Sequence, residues 1–229
     1  MRLSEESVPH GHIHEPDSTF ASVEWSHGED SVLYVAEAKR PPTKSLFEAF
    51  PPSGSPAASN SQSLDSPYAY APHWGECMRD RRHTVLALYS LAARRVRLLV
   101  DLSDANAFSN SNSASSCAPE CPDPVPDRVL RCVPDVAVGC AASVGQALFA
   151  PRDTGVVFVA WAEWPRLGVA YEFNRASALY YVHLRDLRVR RLGSHDAPCV
   201  RSPRFSPDGR TLVWLENLLL NGPHMQCSR

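Results

Sequence analysis

A segment of 13 residues occurs three times in this chain, and it restricts the fold more than any other feature. The copies align without a gap as VEWSHGEDSVLYV from Val23, ALFAPRDTGVVFV from Ala147 and PRFSPDGRTLVWL from Pro203. Each has an aromatic residue, then Ser or Ala, then a turn containing Gly, Pro or Asp, and a second aromatic nine residues after the first. This order predicts a strand, a tight turn and a second strand.

Two further strand pairs lie between the copies. They are Thr84–Leu91 with Val96–Asp101, and Ser177–Leu184 with Val189–Leu192, all short, apolar and bounded by polar or turn residues. A single hairpin is not stable in water, so several must pack together, as in the blades of a β-propeller. We therefore predict an all-β fold, a partial β-propeller of antiparallel four-stranded blades. A β-sandwich whose turns are similar by coincidence is the alternative.

Two segments of small polar residues and proline interrupt this pattern, at 50–67 and 103–128. Because they have little apolar area to bury, we predict that both are long disordered loops. Residues 1–17 are predicted to be a polar tail, and residues 18–229 an incomplete propeller domain.

Charge and cysteine content limit the partners and the compartment. The 229 residues include 23 basic and 25 acidic side chains, for a net charge of -2, which gives no electrostatic reason to expect nucleic acid or an anionic membrane as a partner. No stretch reaches the roughly 18 apolar residues of a membrane span, and acids occupy the position of a signal peptide's apolar region. Seven irregularly spaced cysteines favour reduced thiols. We predict a cytoplasmic protein.

Two residue groups are candidates for metal binding. The histidines His10, His12 and His14 alternate, so an extended strand would place them on one side, although a solvated tail is the stronger interpretation. The second group lacks the paired close spacing of a zinc site; it consists of Cys117, Cys121, Cys132 and Cys140. We predict no metal site and no cofactor.

Catalytic motifs are absent from the sequence. No two glycines have the spacing of Gly-x-Ser-x-Gly, of the dinucleotide fingerprint or of the phosphate loop. Ser194, His195 and Asp196 contain the residue types of a catalytic triad, but neighbours in sequence rarely converge on one reacting atom, so a polar loop is the better interpretation. We therefore predict no catalytic and no cofactor-binding residues.

A few arginines and tryptophans are the remaining candidates. Arg166 or Arg175 could guide a substrate, whereas most of the basic clusters are expected at solvated sheet edges. The aromatic residues expected in the core rather than in a ligand cage are Trp25, Trp161, Trp164 and Trp214.

From residue 145 onward the sequence resembles one known family. The runs FAPRDTGVVFVAW, PRLGVAYEFNRASALYYVHL and SPRFSPDGRTLVWLE resemble the N-terminal propeller of acylaminoacyl-peptidases, members of the prolyl oligopeptidase family of serine peptidases. Earlier in the chain, FASVEWSHGEDSVLYVAEAKRP and YAPHWGECM resemble the same region, in the same order. The most specific stretch is Pro165-Arg-Leu-Gly168 followed by Asn174-Arg175-x-Ser177-x-Leu-Tyr.

The resemblance implies a function. Family members remove an N-acylated residue from a blocked peptide with a C-terminal α/β-hydrolase domain, and the propeller limits access to short peptides. We expect this chain to be the non-catalytic propeller portion, without the later blades and the hydrolase domain. N-acylated short peptides would then bind only through that domain. A homo-oligomer is a further candidate assembly. A stand-alone propeller-like interaction scaffold is the alternative. Purified alone, the chain is expected to self-associate and to leave an N-acetyl-alanine chromogenic substrate uncleaved.

Overall fold

The computed structural model describes residues 8–15, 19–39, 73–75, 81–102, 129–130, 133, 142–163, 166, 171, 174–193 and 199–217. In chain order the strands are β1 His10–Ile13, β2 Val23–Trp25, β3 Ser31–Ala38, β4 Thr84–Ser90, β5 Arg95–Val100, β6 Ala142–Phe149, β7 Gly155–Ala162, β8 Ser177–His183, β9 Val189–Leu192, β10 Cys199–Phe205 and β11 Leu212–Asn217. A short 3-10 turn, Pro151–Asp153, joins β6 to β7. The described part of the chain holds no helix long and apolar enough to cross a membrane.

All strand pairs within the three sheets are antiparallel, which confirms the predicted all-β, propeller-like fold. We call the sheets blade 1 (β1 to β5), blade 2 (β6 to β9) and blade 3 (β10 and β11). Blade 2 has the predicted four strands in sequential order. The two predicted outer hairpins are β4–β5 and β8–β9, and each lies beside the second strand of its repeat. Neighbouring blades pack face to face, with β6 against β3 and β4, and β10 against β6, β7 and β8.

The three repeats fold into turns with the same backbone hydrogen bonds. In each, the residue after the first aromatic donates its N–H to the carbonyl oxygen five residues later, over 2.8–2.9 Å. The donors are Ser26, Ala150 and Ser206. Three positions further on, each turn has a residue in the left-handed region, with φ of 54°, 55° and 69°. These residues are Glu29, Asp153 and Gly209. The similarity of sequence is therefore a similarity of conformation, as the repeat predicted.

The predicted polar tail is wrong for part of residues 1–17. His10–Ile13 forms β1, which pairs with the Ala36–Ala38 end of β3, while β2 covers only Val32–Tyr34. Two short strands thus share one edge of β3, whereas in blade 2 the equivalent edge of β7 pairs with a single long strand, β6. Among the described residues, blade 1 has five strands rather than four. The physical reason is that β2 pairs with only three residues of β3, which leaves backbone groups of β3 for β1 to bond.

The core lies between the blades. Residues of β3 and β7, the second strands of the first two repeats, are buried in this core. They include Leu33, Val35, Val157 and Val159, which are at most 1% exposed. The predicted core position of Trp25 is wrong, because its side chain is 57% exposed. Trp161 is buried as predicted, and Trp214 is partly buried against the same core. The two predicted loops, 50–67 and 103–128, lie outside the described residues.

Candidate functional site

The first strands of the blades are the natural place for a functional site in this fold. Among the described strands, β2, β6 and β10 each pair along one side only, and in a propeller such strands surround the central channel. Just before the aligned repeats, Ser22, Gln146 and Ser202 occupy equivalent positions. Gln146 and Ser202 have φ of 48° and 54° and coincide with register shifts, so both are β-bulges.

The Gln146 carboxamide, on β6, joins the segment before β2 to β10. Its Nε2 donates to the carbonyl oxygen of Thr19 over 2.9 Å, and its Oε1 accepts the N–H of Ser202 over 2.6 Å. Its backbone N–H donates to the carbonyl oxygen of Phe20 over 3.0 Å. Ser22 contributes a further bond by accepting the N–H of Ala147 over 2.9 Å. The bulge therefore fixes the relative positions of the strands at the propeller axis.

The strand after each of the first two repeats, β4 in blade 1 and β8 in blade 2, begins with a hydroxyl residue. This hydroxyl links its blade to the next one. Ser177 donates to the carbonyl oxygen of Val200 over 2.9 Å and accepts the N–H of Val200 over 2.7 Å. In blade 1 the equivalent Thr84 hydroxyl donates to the carbonyl oxygen of Val144, which occupies the position of Val200 in the alignment. We call these contacts the hydroxyl latches. They hold neighbouring blades in register through residues that lie outside the 13-residue repeats.

The turns of blades 1 and 2 also bind each other. Asp153 accepts the backbone N–H of His27 over 2.9 Å and that of Gly28 over 3.0 Å. Partial burial opposes ionisation, but these bonds, together with one from the His27 ring, outweigh it and lower the pKa of Asp153. The carboxylate therefore stays charged and holds the two turns together at neutral pH.

An aromatic cluster with two cations lies on the other side of Phe20. Its ring contacts Trp74 and Trp161 edge to face, with centroids 5.5 and 5.0 Å apart. The guanidinium groups of Arg166 and Arg175 lie over the Trp74 ring, at 5.5 and 5.1 Å from its centroid. We call these five residues the Trp74 cluster. Since Trp74 is fully buried and Arg175 is only 2% exposed, the cluster stabilises the interior.

Glu163 neutralises one of these cations. Its Oε2 accepts the Nε–H of Arg166 over 2.7 Å, and its Oε1 accepts the hydroxyl of Ser143, which in turn accepts the N–H of Thr84 over 3.2 Å. The chain of bonds runs from the Trp74 cluster to a hydroxyl latch. Arg166 and Arg175, the candidates for guiding a substrate, therefore come together, but against a buried indole.

Sequence reasoning missed three residues of this arrangement: Trp74, Glu163 and Gln146. A signal was present for Trp74, because a lone tryptophan stands among small and polar residues within YAPHWGECM. No signal was present for Gln146, since its role depends on a bulge that brings three distant segments together.

The three N-terminal histidines do not lie together at one site. His10 Nε2 lies 2.6 Å from the hydroxyl of Tyr34, and the His14 ring packs edge to face on Phe20 at 6.0 Å. His12 Nδ1 is instead 3.4 Å from a nitrogen of Arg81. Within the described ranges no group of three or more His, Cys, Asp or Glu residues could hold a metal ion.

Burial of histidines makes stability depend on pH. Burial lowers the pKa of His10 and of His83, and it lowers the pKa of His14 from 6.5 to about 4. The unfolded chain takes up these protons below pH 6.5 while the folded chain does not, so stability falls as the pH drops from 6.5 towards 4. For His14 alone the loss is about 3 kcal/mol at 1.36 kcal/mol per pH unit.

Urea unfolding across this pH range measures the effect. We expect His14→Gln to flatten the curve between pH 6.5 and 4 relative to the natural chain. Ala92→Gln, in the exposed β4–β5 turn, is the control, because it changes no ionisable group and should leave the slope unchanged. Equal slopes for the natural chain and His14→Gln would contradict the prediction.

Several sequence candidates lie outside the described residues. They are Cys117, Cys121, Cys132, Cys140, Trp164, Ser194, His195 and Asp196.

Comparison with known proteins connects this fold to one enzyme family. Residues 133–219 match the family model described as the acylamino-acid-releasing enzyme, N-terminal domain. Over 229 aligned residues the chain is 34% identical to the acylamino-acid-releasing enzyme of Mus musculus and 33% identical to that of Homo sapiens, and each alignment covers 96% of this chain. Acylamino-acid-releasing enzyme 1 of Oryza sativa subsp. japonica is 25% identical over 90% of the chain.

The alignments cover only part of these relatives. The chain spans 26% of the mouse and human proteins and 25% of the rice protein. The matched model is that of an N-terminal domain, and it contains both the second and the third repeat. The resemblance predicted from the sequence is thus confirmed: residues 133–219 match the N-terminal domain of the acylamino-acid-releasing enzyme family, and the chain as a whole is similar to part of these enzymes.

Proposed function

We propose that this chain is the non-catalytic, access-limiting propeller portion of an acylaminoacyl-peptidase-like serine hydrolase. In the whole protein, N-acylated residues are released from blocked short peptides by a hydrolase domain. The propeller blades keep larger chains away from that domain.

The observation that carries the proposal is the bonding of the first strands around the axis. Access can be limited only by a channel whose wall does not spread. Gln146 bonds to Thr19 and Ser202, and so ties together segments of all three blades. The hydroxyl latches of Thr84 and Ser177 add blade-to-blade bonds two residues before each bulge, at Val144 and Val200. This pattern supports a rigid wall rather than an adaptable surface.

The compartment we propose is the cytoplasm. Cys199 is buried, and burial raises the pKa of its thiol to about 11, which keeps the thiol protonated at neutral pH. The seven irregularly spaced cysteines favour reduced thiols, which suit a reducing compartment.

A chimeric enzyme tests the access-limiting role. In it, this chain replaces the matching part of the mouse acylamino-acid-releasing enzyme, and kcat/KM is measured for N-acetylated peptides of increasing length. We expect a decline with length as steep as in the unaltered mouse enzyme. Gln146→Ala in the chimera should raise kcat/KM for the longer peptides relative to the shortest, because it removes two side-chain bonds between blades. The control Arg94→Ala, in the exposed β4–β5 turn, should leave the length profile unchanged.

Two results would count against the proposal. One is a chimera that cleaves long and short peptides equally well. The other is turnover of an N-acetyl-alanine chromogenic substrate by the purified chain alone, since a chain without a nucleophile elbow should have no activated serine.

A further inference from the structure

A short segment at residues 8–14, which we call the strap, contains β1 and lies on blade 1. It pairs with β3 only over Ala36–Ala38, and the N–H of His14 donates to the carbonyl oxygen of Val35 over 3.1 Å. On the same edge of β3, β2 covers Val32–Tyr34, while β4 lies along the other edge. The strap therefore occupies one end of the edge that faces the propeller axis.

The strap reverses the usual distribution of side chains in an edge strand. Its buried side chains are two imidazoles, His10 at 8% and His14 at 2% exposure, whereas Ile13 is 48% exposed. Burial of apolar surface is what normally holds such a strand in place. A strand that buries imidazoles instead stays attached only while those rings are neutral, because a buried charge without a partner is costly.

His10 anchors the strap on the outer face of blade 1. Its Nδ1 lies 2.8 Å from the carbonyl oxygen of Gly11, so Nδ1 carries the hydrogen and donates it. Its Nε2 therefore accepts the hydroxyl of Tyr34, over 2.6 Å, beside a cluster of buried apolar side chains. Protonation of Nε2 would take this acceptor away from the Tyr34 hydroxyl.

His14 anchors the strap on the opposite face, in the core that blade 1 shares with blade 2. Its ring packs edge to face on Phe20, with centroids 6.0 Å apart, and Phe20 belongs to the Trp74 cluster. Burial lowers the pKa of His14 to about 4, and it lowers that of His10 as well. The two anchors are therefore neutral while the strap is attached.

The charges around the two rings also oppose their protonation. Lys39 lowers the pKa of His10, and Arg81 lowers that of His14. The Glu37 carboxylate lies 3.4 Å from Arg81 Nη1, so it offsets part of that charge. The remaining ionisable groups are Tyr34 on β3 and, on the strap's own segment, the exposed His12 and Glu15.

We infer that the strap is a pH-sensitive switch, which leaves β3 in mild acid while the three blades stay folded. A released strap takes up protons with the ordinary affinity of exposed histidines, so release becomes more favourable as the pH falls from 6.5 towards 4. The bonds that join the blades, at Gln146, Asp153 and the hydroxyl latches, involve no strap residue. Release therefore uncovers the Ala36–Ala38 edge of β3 beside β2, at the wall of the channel.

Hydrogen exchange followed by mass spectrometry measures the release. Protection factors, corrected for the pH dependence of intrinsic exchange, are compared between residues 8–15 and β7 of the natural chain. Between neutral pH and pH 4, His14 alone should raise the ratio of released to attached strap roughly 100-fold, and residues 8–15 should lose protection accordingly. We expect β7 to remain better protected throughout, and circular dichroism to show that the strands are retained.

Histidine variants identify the groups responsible. A double variant, His10→Gln with His14→Gln, cannot titrate, and glutamine still offers an oxygen to the Tyr34 hydroxyl; its strap protection should vary little with pH. His183→Gln is the matched control, because it removes a histidine at the end of β8 in blade 2 and should leave the response of the strap unchanged. If the double variant does not fold, His10→Gln alone should show a smaller fall in strap protection than the natural chain.

Three results would overturn the inference. One is a strap whose protection does not change with pH, and another is a folded double variant that responds like the natural chain. The third is equal protection of residues 8–15 and β7 at every pH, which would mean that the strap leaves only when the blades unfold. Because no substrate or hydrolase domain enters the measurement, its failure leaves the access-limiting role to be decided separately by the chimera.

Discussion

Replacing Gly145 with alanine is expected to destabilise the fold more than any other single change proposed for this chain. A Cβ atom at this position would overlap the carbonyl oxygen of Phe20 and lie 2.8 Å from its carbonyl carbon and Cα. Backbone cannot rotate away as a flexible side chain can, so β6 and the segment before β2 would have to separate. That movement would also break the bond from the Gln146 N–H to the Phe20 oxygen and disturb the aromatic contacts of Phe20. We expect a loss of at least about 3 kcal/mol, above the usual range for overpacking.

The midpoint of urea unfolding measures this loss. Gly28→Ala is the matched control, since a Cβ there would have no neighbour closer than 3.7 Å, and it keeps the N–H that Asp153 accepts. We expect the control to change stability by less than about 0.5 kcal/mol. Equal midpoints for the two variants would show that β6 does not lie against Phe20 as described.

Removal of the Glu163 carboxylate is expected to have the second largest effect. Glu163→Ala would remove the carboxylate that pairs with the Arg166 guanidinium beside Trp74 and that accepts the Ser143 hydroxyl. Breaking a buried pair from one side costs about 3–5 kcal/mol, and the value here should lie near the lower limit because the Arg166 side chain is 18% exposed. Chemical denaturation at neutral pH gives the free energy of unfolding directly.

Two further variants identify the cause of that loss. Glu163→Gln keeps an acceptor for Ser143 but removes the charge, so it should recover part of the stability. Asp186→Ala removes a carboxylate that is 43% exposed and pairs with His183 and Arg188 at the surface, and it should cost less than about 1 kcal/mol. If Asp186→Ala cost as much as Glu163→Ala, burial of the Glu163 pair would not explain its contribution.

The strand pairs were predictable because each is encoded locally. In the repeats, the turn residues and the two aromatics lie within 13 positions, and backbone bonding follows from them. The same applies to the outer hairpins β4–β5 and β8–β9, whose apolar runs are separated by four or five residues. Even the packing of the blades was foreseeable, since a hairpin must bury its apolar face.

The candidate site was less predictable because it depends on distant segments. His10 reads as part of a polar tail, yet it bonds to Tyr34 once β1 occupies the free part of the β3 edge. Trp25 reads as a core residue by comparison with Phe149, but burial there requires a neighbouring blade on that side. Trp74 gains its role only when two arginines about 100 residues further along are placed over its ring. None of these relations has a short-range pattern.

The hydroxyl latches have a consequence for the divergence of the repeats. In each latch the acceptor is a main-chain carbonyl, of Val144 or Val200, so the side chain at that position does not take part in the bond. A blade that carries Ser or Thr at the start of the strand after its repeat can therefore join to any following blade, whatever side chain that blade has at the acceptor position. Duplicated blades could drift apart in sequence without losing this joint. In this chain, accordingly, the three repeats share few identical residues but the same connection.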